Sequence, residues 1–413
     1  MRLRASDLAA ASDGSPEGIT SAIGRATVGE AMAPGTPALE VSKVVTVAAD
    51  PVSTFTPATR QVYVAVVTPA GATPQPLVDE SRIRAQVAGA SSYWSDVTGG
   101  NLTVSVATIV GQYTSAFNCS EPIRMINEAV TRVGFTGAPN TSLVIELPLG
   151  ISGIASSNCP YGLGTVGDGP NDWGALLVAD DVWPVLAHEL GHNMSLMHAD
   201  ALLCPTAADS AFSTTSGWTG TGCTEDSYGD GQDIMSASAR TFAPFLSAPQ
   251  SLRTGIIPPT AATVIETAGT RSVTLHPLAG RTGVRMAEVV NPTNGVTYYV
   301  EYRTLAGRDL RNVFGVKTGV RVLRYNPATG DTVLLDPSPT GRSRDPDPTL
   351  PVGRSFVSYD GRVSITTRSA NSANAVVSVT IGTSPVQRYI SACTPTCSTG
   401  LLTRAVWRPG RPR

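Results

Sequence analysis

The sequence predicts an α+β protein in two parts: a mixed, twisted sheet with helices packed on it over residues 58–258, then a β-sandwich over 259–386. Three observations predict it. In the first part, β-branched runs alternate with segments whose apolar residues recur at helical spacing. In the second, short alternating strands arrive about every 10 to 15 residues, with Gly, Pro and Asp turns between them. Pro258-Pro259 punctuates the join. A chain of 413 residues is long enough for two such cores.

Taken in order, residues 1–57 are rich in Ala, Ser, Gly, Pro and Thr and read as a disordered leader or pro-segment. Arg60 to Val67 is a β-branched run ended by Pro69-Ala70-Gly71, a buried strand. Val78 to Val97 carries Ile83, Val87, Ala90 and Trp94 on one helical face. Gly99-Gly100-Asn101 turns the chain into a strand at Leu102–Val106. A second helix spans Glu121–Val133, with Pro122 in its first turn. Leu143–Leu147 and Ala175–Ala179 are further strands, and Gly153–Ser156 between them reads as a short edge strand. Trp183–Met194 is a helix, and Phe242–Leu252 a shorter one that closes this part. Beyond the prolines come strands at Ser272–Leu275, Val296–Tyr302, Gly319–Leu323 and Ala375–Thr380, then an Arg/Pro-rich flexible tail over 387–413.

The formal net charge of −2 gives no reason to expect a nucleic-acid partner. No run of eighteen or more apolar residues exists, so no membrane span is expected. The six cysteines are even in number and form no C-x-x-C pair beside histidines, which favours disulfides in an oxidising compartment over a thiolate metal site. Cys204–Cys223 and Cys393–Cys397 are the expected bridges, leaving Cys119–Cys159 by elimination. The expectation is a secreted monomer, although Ala5-Ser6-Asp7-Leu8 interrupts any apolar signal after Met1-Arg2-Leu3-Arg4.

The chemistry is concentrated in residues 188 to 198. Three of the four histidines of the chain, His188, His192 and His198, fall within these eleven positions. On a helix, His188 and His192 are one turn apart on one face, a spacing that suits two nitrogen ligands of Zn²⁺. Glu189 is rotated away by one residue, which sets a carboxylate beside a water on that ion, where a general base belongs. His198 can supply a third nitrogen once the helix has ended. The fourth histidine, His276, stands alone beside Pro277 and reads as structural.

His188-Glu189-x-x-His192-x-x-Ser195-x-x-His198, with the downstream segment Tyr228–Met235, resembles the metzincin zinc endopeptidases, and among them most closely the gametolysin-like family. The resemblance covers about residues 60 to 255 in layout and is specific only over those two motifs. It implies that His188, His192 and His198 hold one catalytic Zn²⁺, that Glu189 is the base, and that Gly231–Met235 forms the Met-turn with Met235 beneath the metal. It further implies polypeptide substrates. Bacterial relatives carry β-rich C-terminal regions like the one here, a weaker likeness. One position departs: the family has glycine where this chain has Ser195. That glycine ends the helix at positive φ, a conformation costing serine about 1 kcal/mol.

Three further readings follow from the residues. A glutamate third ligand would fall to Glu225, which sits in a polar loop, so His198 is preferred. Calcium is a candidate near Asp226, Asp230 and Asp233, though their spacing fits no EF-hand loop. Phe242 and Phe245 are candidates to wall a side-chain pocket, with core packing as their plain alternative. The alternative function is a secreted, non-catalytic binding or adhesion protein that retains a metal-bound protease fold.

Overall fold

A computed structural model describes residues 57–382, apart from 74–78, 180–181, 237–241, 306, 311–317, 342–344 and 346. The leader through residue 56, the tail over 387–413 and the Cys393–Cys397 bridge lie outside the described residues.

The first sheet grows around β1 (Ala58–Thr68). Strand side chains alternate between faces, and β1 is buried on both. Val62, Val64 and Val66 enter one core, and Ala65 and Val67 the other. β2 (Leu102–Thr114) and β3 (Thr141–Leu147) pair with β1 in parallel, and β5 (Gly174–Ala179) pairs with β3 in parallel. The short strand β4 (Gly162–Gly164) closes the edge antiparallel to β5, giving the order β2-β1-β3-β5-β4.

Helices cover both faces, as a parallel sheet requires. α1 (Glu80–Val97) starts where Asp79 caps the amide of Arg82 at 2.9 Å, and it presents Ile83, Val87, Ala90 and Trp94 to the first core. α2 (Pro122–Val133) ends at Gly134, φ 66°, and buries Met125, Ile126, Ala129 and Val130 in the second. The Cys119–Cys159 disulfide joins the approach to α2 to the segment before β4.

Two expected elements change. Gly153–Ser156 is not a strand but part of α3 (Gly150–Ser156): Gly150 at φ 61° turns the chain, and Ile154 is buried in the second core. The edge position belongs to β4. The helix expected over Phe242–Leu252 is confined to α5 (Ala248–Arg253), because Pro244 lacks an N–H and holds its predecessor extended, whereas Pro249 sits in a helical first turn.

After α4 (Trp183–Asn193) the chain returns to strands. It forms β6 (Ala199–Leu203), followed by the hairpin β7 (Phe212–Ser213) and β8 (Gly217–Trp218), and then β9 (Thr224–Asp226), which is antiparallel to β6. The Cys204–Cys223 disulfide closes this excursion, as expected.

β6 is the strand that joins the two halves. Beyond it lie β10 (Ala262–Ile265), β11 (Gly269–Leu275), β12 (Met286–Val290), β13 (Thr297–Arg303), β14 (Gly319–Tyr325), β15 (Thr332–Leu335), β16 (Ser355–Val357), β17 (Val363–Ala370) and β18 (Ala375–Ile381). One sheet of seven runs β10-β12-β13-β14-β15-β6-β9, and one of four runs β11-β18-β17-β16. Val289, Val300, Val322 and Val333 of the larger sheet share a core with Val273, Phe356, Ile365 and Val377 of the smaller. The opposite face of the larger sheet sends Met286, Tyr299, Leu323 and Leu334 into the same core as Leu186 and Leu190 of α4. The seven-stranded sheet and the first core both run across residue 258.

Candidate metal centre and what holds it

α4 opens with Pro184, whose missing N–H falls where a helix has no acceptor for it. His188 and His192 follow one turn apart, with ring centroids 4.9 Å from each other. His188 Nδ1 lies 2.7 Å from the carbonyl of Ile234, and His192 Nδ1 lies 2.8 Å from the carbonyl of Leu196. A carbonyl only accepts, so each Nδ1 carries the proton and each Nε2 keeps its lone pair for a cation. Burial pulls the His188 pKa down to about 4 against the Ile234 carbonyl, so its ring is neutral at neutral pH.

The helix ends in a Schellman arrangement. Ser195 donates its N–H to the His192 carbonyl and Leu196 donates to the Gly191 carbonyl, both at 3.0 Å. Ser195 sits at φ 72°, the left-handed conformation that the resemblance assigns to glycine. The chain then doubles back, the Leu196 carbonyl meets His192, and His198 arrives with its Nε2 3.1 Å from His192 Nε2. Each of the three histidines offers one nitrogen, and these lie within 4.8 Å of one another. Glu225, the alternative third ligand, is elsewhere: it accepts from Trp218 Nε1 at 2.6 Å and Asn326 Nδ2 at 2.7 Å.

Glu189 is buried, 5% exposed, and burial pushes its carboxyl up to about 8. Its carboxylate lies against β4, where Gly162 and Gly164 make the room; a Cβ on Gly164 would stand 2.9 Å from Glu189 Oε2, and one on Gly162 would overlap Oε1. The two glycines of the edge strand and the Glu189 carboxylate thus fit one another.

Met235 is fully buried, and its Sδ packs where Gly191 has no side chain, on the helix between the two histidines in sequence. The turn that carries it is held by its own carboxylates. Asp233 accepts from the N–H of Met235 at 2.8 Å and of Ser247 at 2.6 Å, and burial, then Asp230, pushes its carboxyl up to about 6. Asp230 pairs with Arg321 of β14, whose other arm donates to Gln232 Oε1 at 3.0 Å. Of the residues named for calcium, Asp230 faces an arginine and Asp233 backbone amides. Among the described residues, the carboxylates that converge are instead Asp200, Glu225 and Asp331. Phe245 lies in the core with Ala243 and Leu246, its plain alternative, and Phe242 is half-buried.

Two residues beside the centre carry no local sequence signal. The Tyr228 hydroxyl is 3.0 Å from His198 Nε2, with the tyrosine itself at φ 59°. Positive φ at a tyrosine cannot be read from spacing. Asp331 accepts the His198 N–H at 2.9 Å across 133 residues of chain.

No helix among the described residues is long and apolar enough to cross a membrane. No family model matches the chain, and no curated protein matches it. Among solved structures, the chain is similar to the crystal structure of metalloproteinase-II from Bacteroides fragilis, at 15% identity and a TM-score of 0.29. The match covers 49% of this chain and 54% of that one, so the chain spans about half the length of that neighbour.

Proposed function

We propose that the chain is a secreted, monomeric zinc endopeptidase of the metzincin type, nearest the gametolysin-like family, whose two C-terminal sheets form a β-sandwich joined to the catalytic part. The observation that carries this reading is the convergence of His188, His192 and His198 on one point; the carboxylate of Glu189, next to His188 in sequence, lies against an edge strand. The donor set suits zinc, since all three donors are imidazoles and the Nδ1 atoms of His188 and His192 are already engaged by carbonyls. When bound, zinc would polarise a peptide carbonyl and acidify a water.

The residues of the chain do the rest. Glu189 takes a proton from the attacking water at a carboxylate oxygen and delivers it to the nitrogen of the leaving amine. β4 is hydrogen-bonded on one side to β5 and ends its sheet, so an extended polypeptide adds there as a further strand. Tyr228 offers an O–H beside His198 to the carbonyl oxygen as charge develops on it. The two disulfides suit an extracellular setting. Ser195 takes the conformation that the resemblance assigns to glycine, which removes one argument for the non-catalytic alternative.

The test is zinc content together with cleavage of a peptide library by the purified protein. Cleavage that stops with chelator, and falls about 10²- to 10⁴-fold in Glu189→Ala while zinc is retained, is expected. Zinc without turnover, or turnover indifferent to Glu189→Ala, overturns the reading in favour of a binding protein.

A further inference from the structure

We infer that Asp331, in the turn of the β14–β15 hairpin, is the positioning residue for the third metal ligand, so that the C-terminal sheet is part of the metal centre. This rests on the metallopeptidase reading above. His188 and His192 are placed by the helix that contains them, but His198 lies three residues beyond Ser195 and has no helix to hold it. Its backbone is gripped from the other half of the molecule. The His198 N–H donates to Asp331 Oδ1 at 2.9 Å, and the His198 carbonyl accepts from the Thr332 N–H, also at 2.9 Å. Directly after it, Ala199 to Leu202 run parallel to Thr332 to Leu335.

The grip on the amide comes from a side chain, which sets it apart from ordinary strand pairing. Asp331 is 3% exposed, and its own turn is fixed: Asn326 donates its N–H to the Asp331 carbonyl at 2.8 Å, and Gly330, at φ 72°, donates to the Asn326 carbonyl at 2.8 Å. A carboxylate accepting a buried amide is a charge-assisted bond, shorter and stronger than a neutral one. With both peptide groups that flank it bonded, the His198 Cα is fixed in place, and only χ1 and χ2 are left to aim its imidazole at the other two. A metal ligand must be held to within about 0.5 Å of its productive place.

Three measurements test this on the full chain, as wild type, Asp331→Asn and Asp331→Ala. They are zinc affinity by chelator competition, the visible absorption bands of the Co²⁺-loaded protein, and hydrogen exchange of the His198 amide in the metal-free protein. Asparagine keeps an acceptor at Oδ1, so Asp331→Asn is expected to bind zinc within about threefold of wild type and to keep its Co²⁺ spectrum; Asp331→Ala is expected to lose about 10- to 100-fold in affinity. The His198 amide should be protected in metal-free wild type and exchange freely in Asp331→Ala.

Wild-type affinity in Asp331→Ala, or a loss in Asp331→Asn as large as in Asp331→Ala, overturns the proposal. Should Asp331→Ala fail to fold, an unprotected His198 amide in the wild type still overturns it. A protected amide in a wild type that binds no zinc sinks the metallopeptidase reading instead, and the clamp survives it.

Discussion

The α4 helix and the segment after it deliver nitrogen atoms to one point by opposite means. His188 and His192 need four residues of helix and two carbonyls, those of Ile234 and Leu196, to fix their rings. His198 and the turn that ends in Met235 are placed from more than eighty residues away, by Asp331 and Thr332 on one side and by Arg321 on the other. The first arm is written mostly in spacing, with the Ile234 carbonyl its contact from farther along the chain; the second is assembled only when the seven-stranded sheet closes. The segment before residue 258 and the sheet after it therefore meet at His198.

The largest expected effect comes from cutting the distant arm. Arg321 is fully buried, pairs with Asp230, and lies 3.5 Å from Glu301, which also holds Arg303 at 2.8 Å. Arg321→Ala leaves two buried carboxylates short of a partner and should destabilise the fold by about 3 to 5 kcal/mol. Arg321→Met, which fills the volume, leaves the same charges and should do little better. Urea unfolding monitored by near-UV dichroism reads this. A variant as stable as wild type would mean that the sheet does not hold the turn that ends in Met235, and the comparison between the arms would collapse.

Next in size is a pH effect at Asp233, which braces that turn. Its folded pKa of about 6 lies above the ordinary 3.8. The folded state thus keeps this proton longer than the unfolded state, and between those values stability falls as pH rises. The contribution is full below about pH 4, lost through pH 6, and on the order of 3 kcal/mol. Asp233→Asn should flatten that slope in the metal-free protein, read as the difference in urea midpoint between pH 4 and pH 7 against wild type. An unchanged slope would assign the pH dependence to other groups.

What was legible in the sequence follows the same division. Periodicity placed α1, α2 and α4 within a few residues, because each is an amphipathic or buried run with a local stop such as Gly134. It also marked His188, His192 and His198, through scarcity and spacing. It misread residues 153–156 and 242–247, where a positive-φ glycine and a proline decide the backbone. The parallel pairing of β6 with β15 was invisible, because residues 199–202 and 332–335 have no signal that they meet. Asp331 and Arg321 were missed with it, each an ordinary polar residue until the sheet brings one to His198 and the other to Asp230.

A substitution on the local arm should cost less than Arg321→Ala and leave the distant arm untouched. Gly162→Ala drives a Cβ into the space of the Glu189 carboxylate. Gly162 is not among the positive-φ glycines, so the backbone tolerates alanine and the effect falls on the carboxylate. Displacing a catalytic group by about 1 Å can cost on the order of 10²-fold in rate. The expected result is a lower kcat with KM, zinc content and melting temperature near wild type. Retained kcat would show that Glu189 is free to find another productive position.

The smallest effect is at the joint between the arms. Ser195 holds φ 72° so that Leu196 can donate to Gly191 and the chain can turn toward His198. Left-handed backbone costs a non-glycine residue about 1 to 2 kcal/mol, and glycine relieves it. Glycine also loses more freedom on folding, by about 0.5 to 1 kcal/mol. The difference favours Ser195→Gly by less than about 1 kcal/mol, a rise of a few degrees at most in melting temperature. Zinc affinity should not change, since Asp331 and Thr332, not the helix end, fix His198. A gain in zinc affinity of tenfold or more would relocate control of the third ligand to the helix terminus, and the local arm would then account for all three.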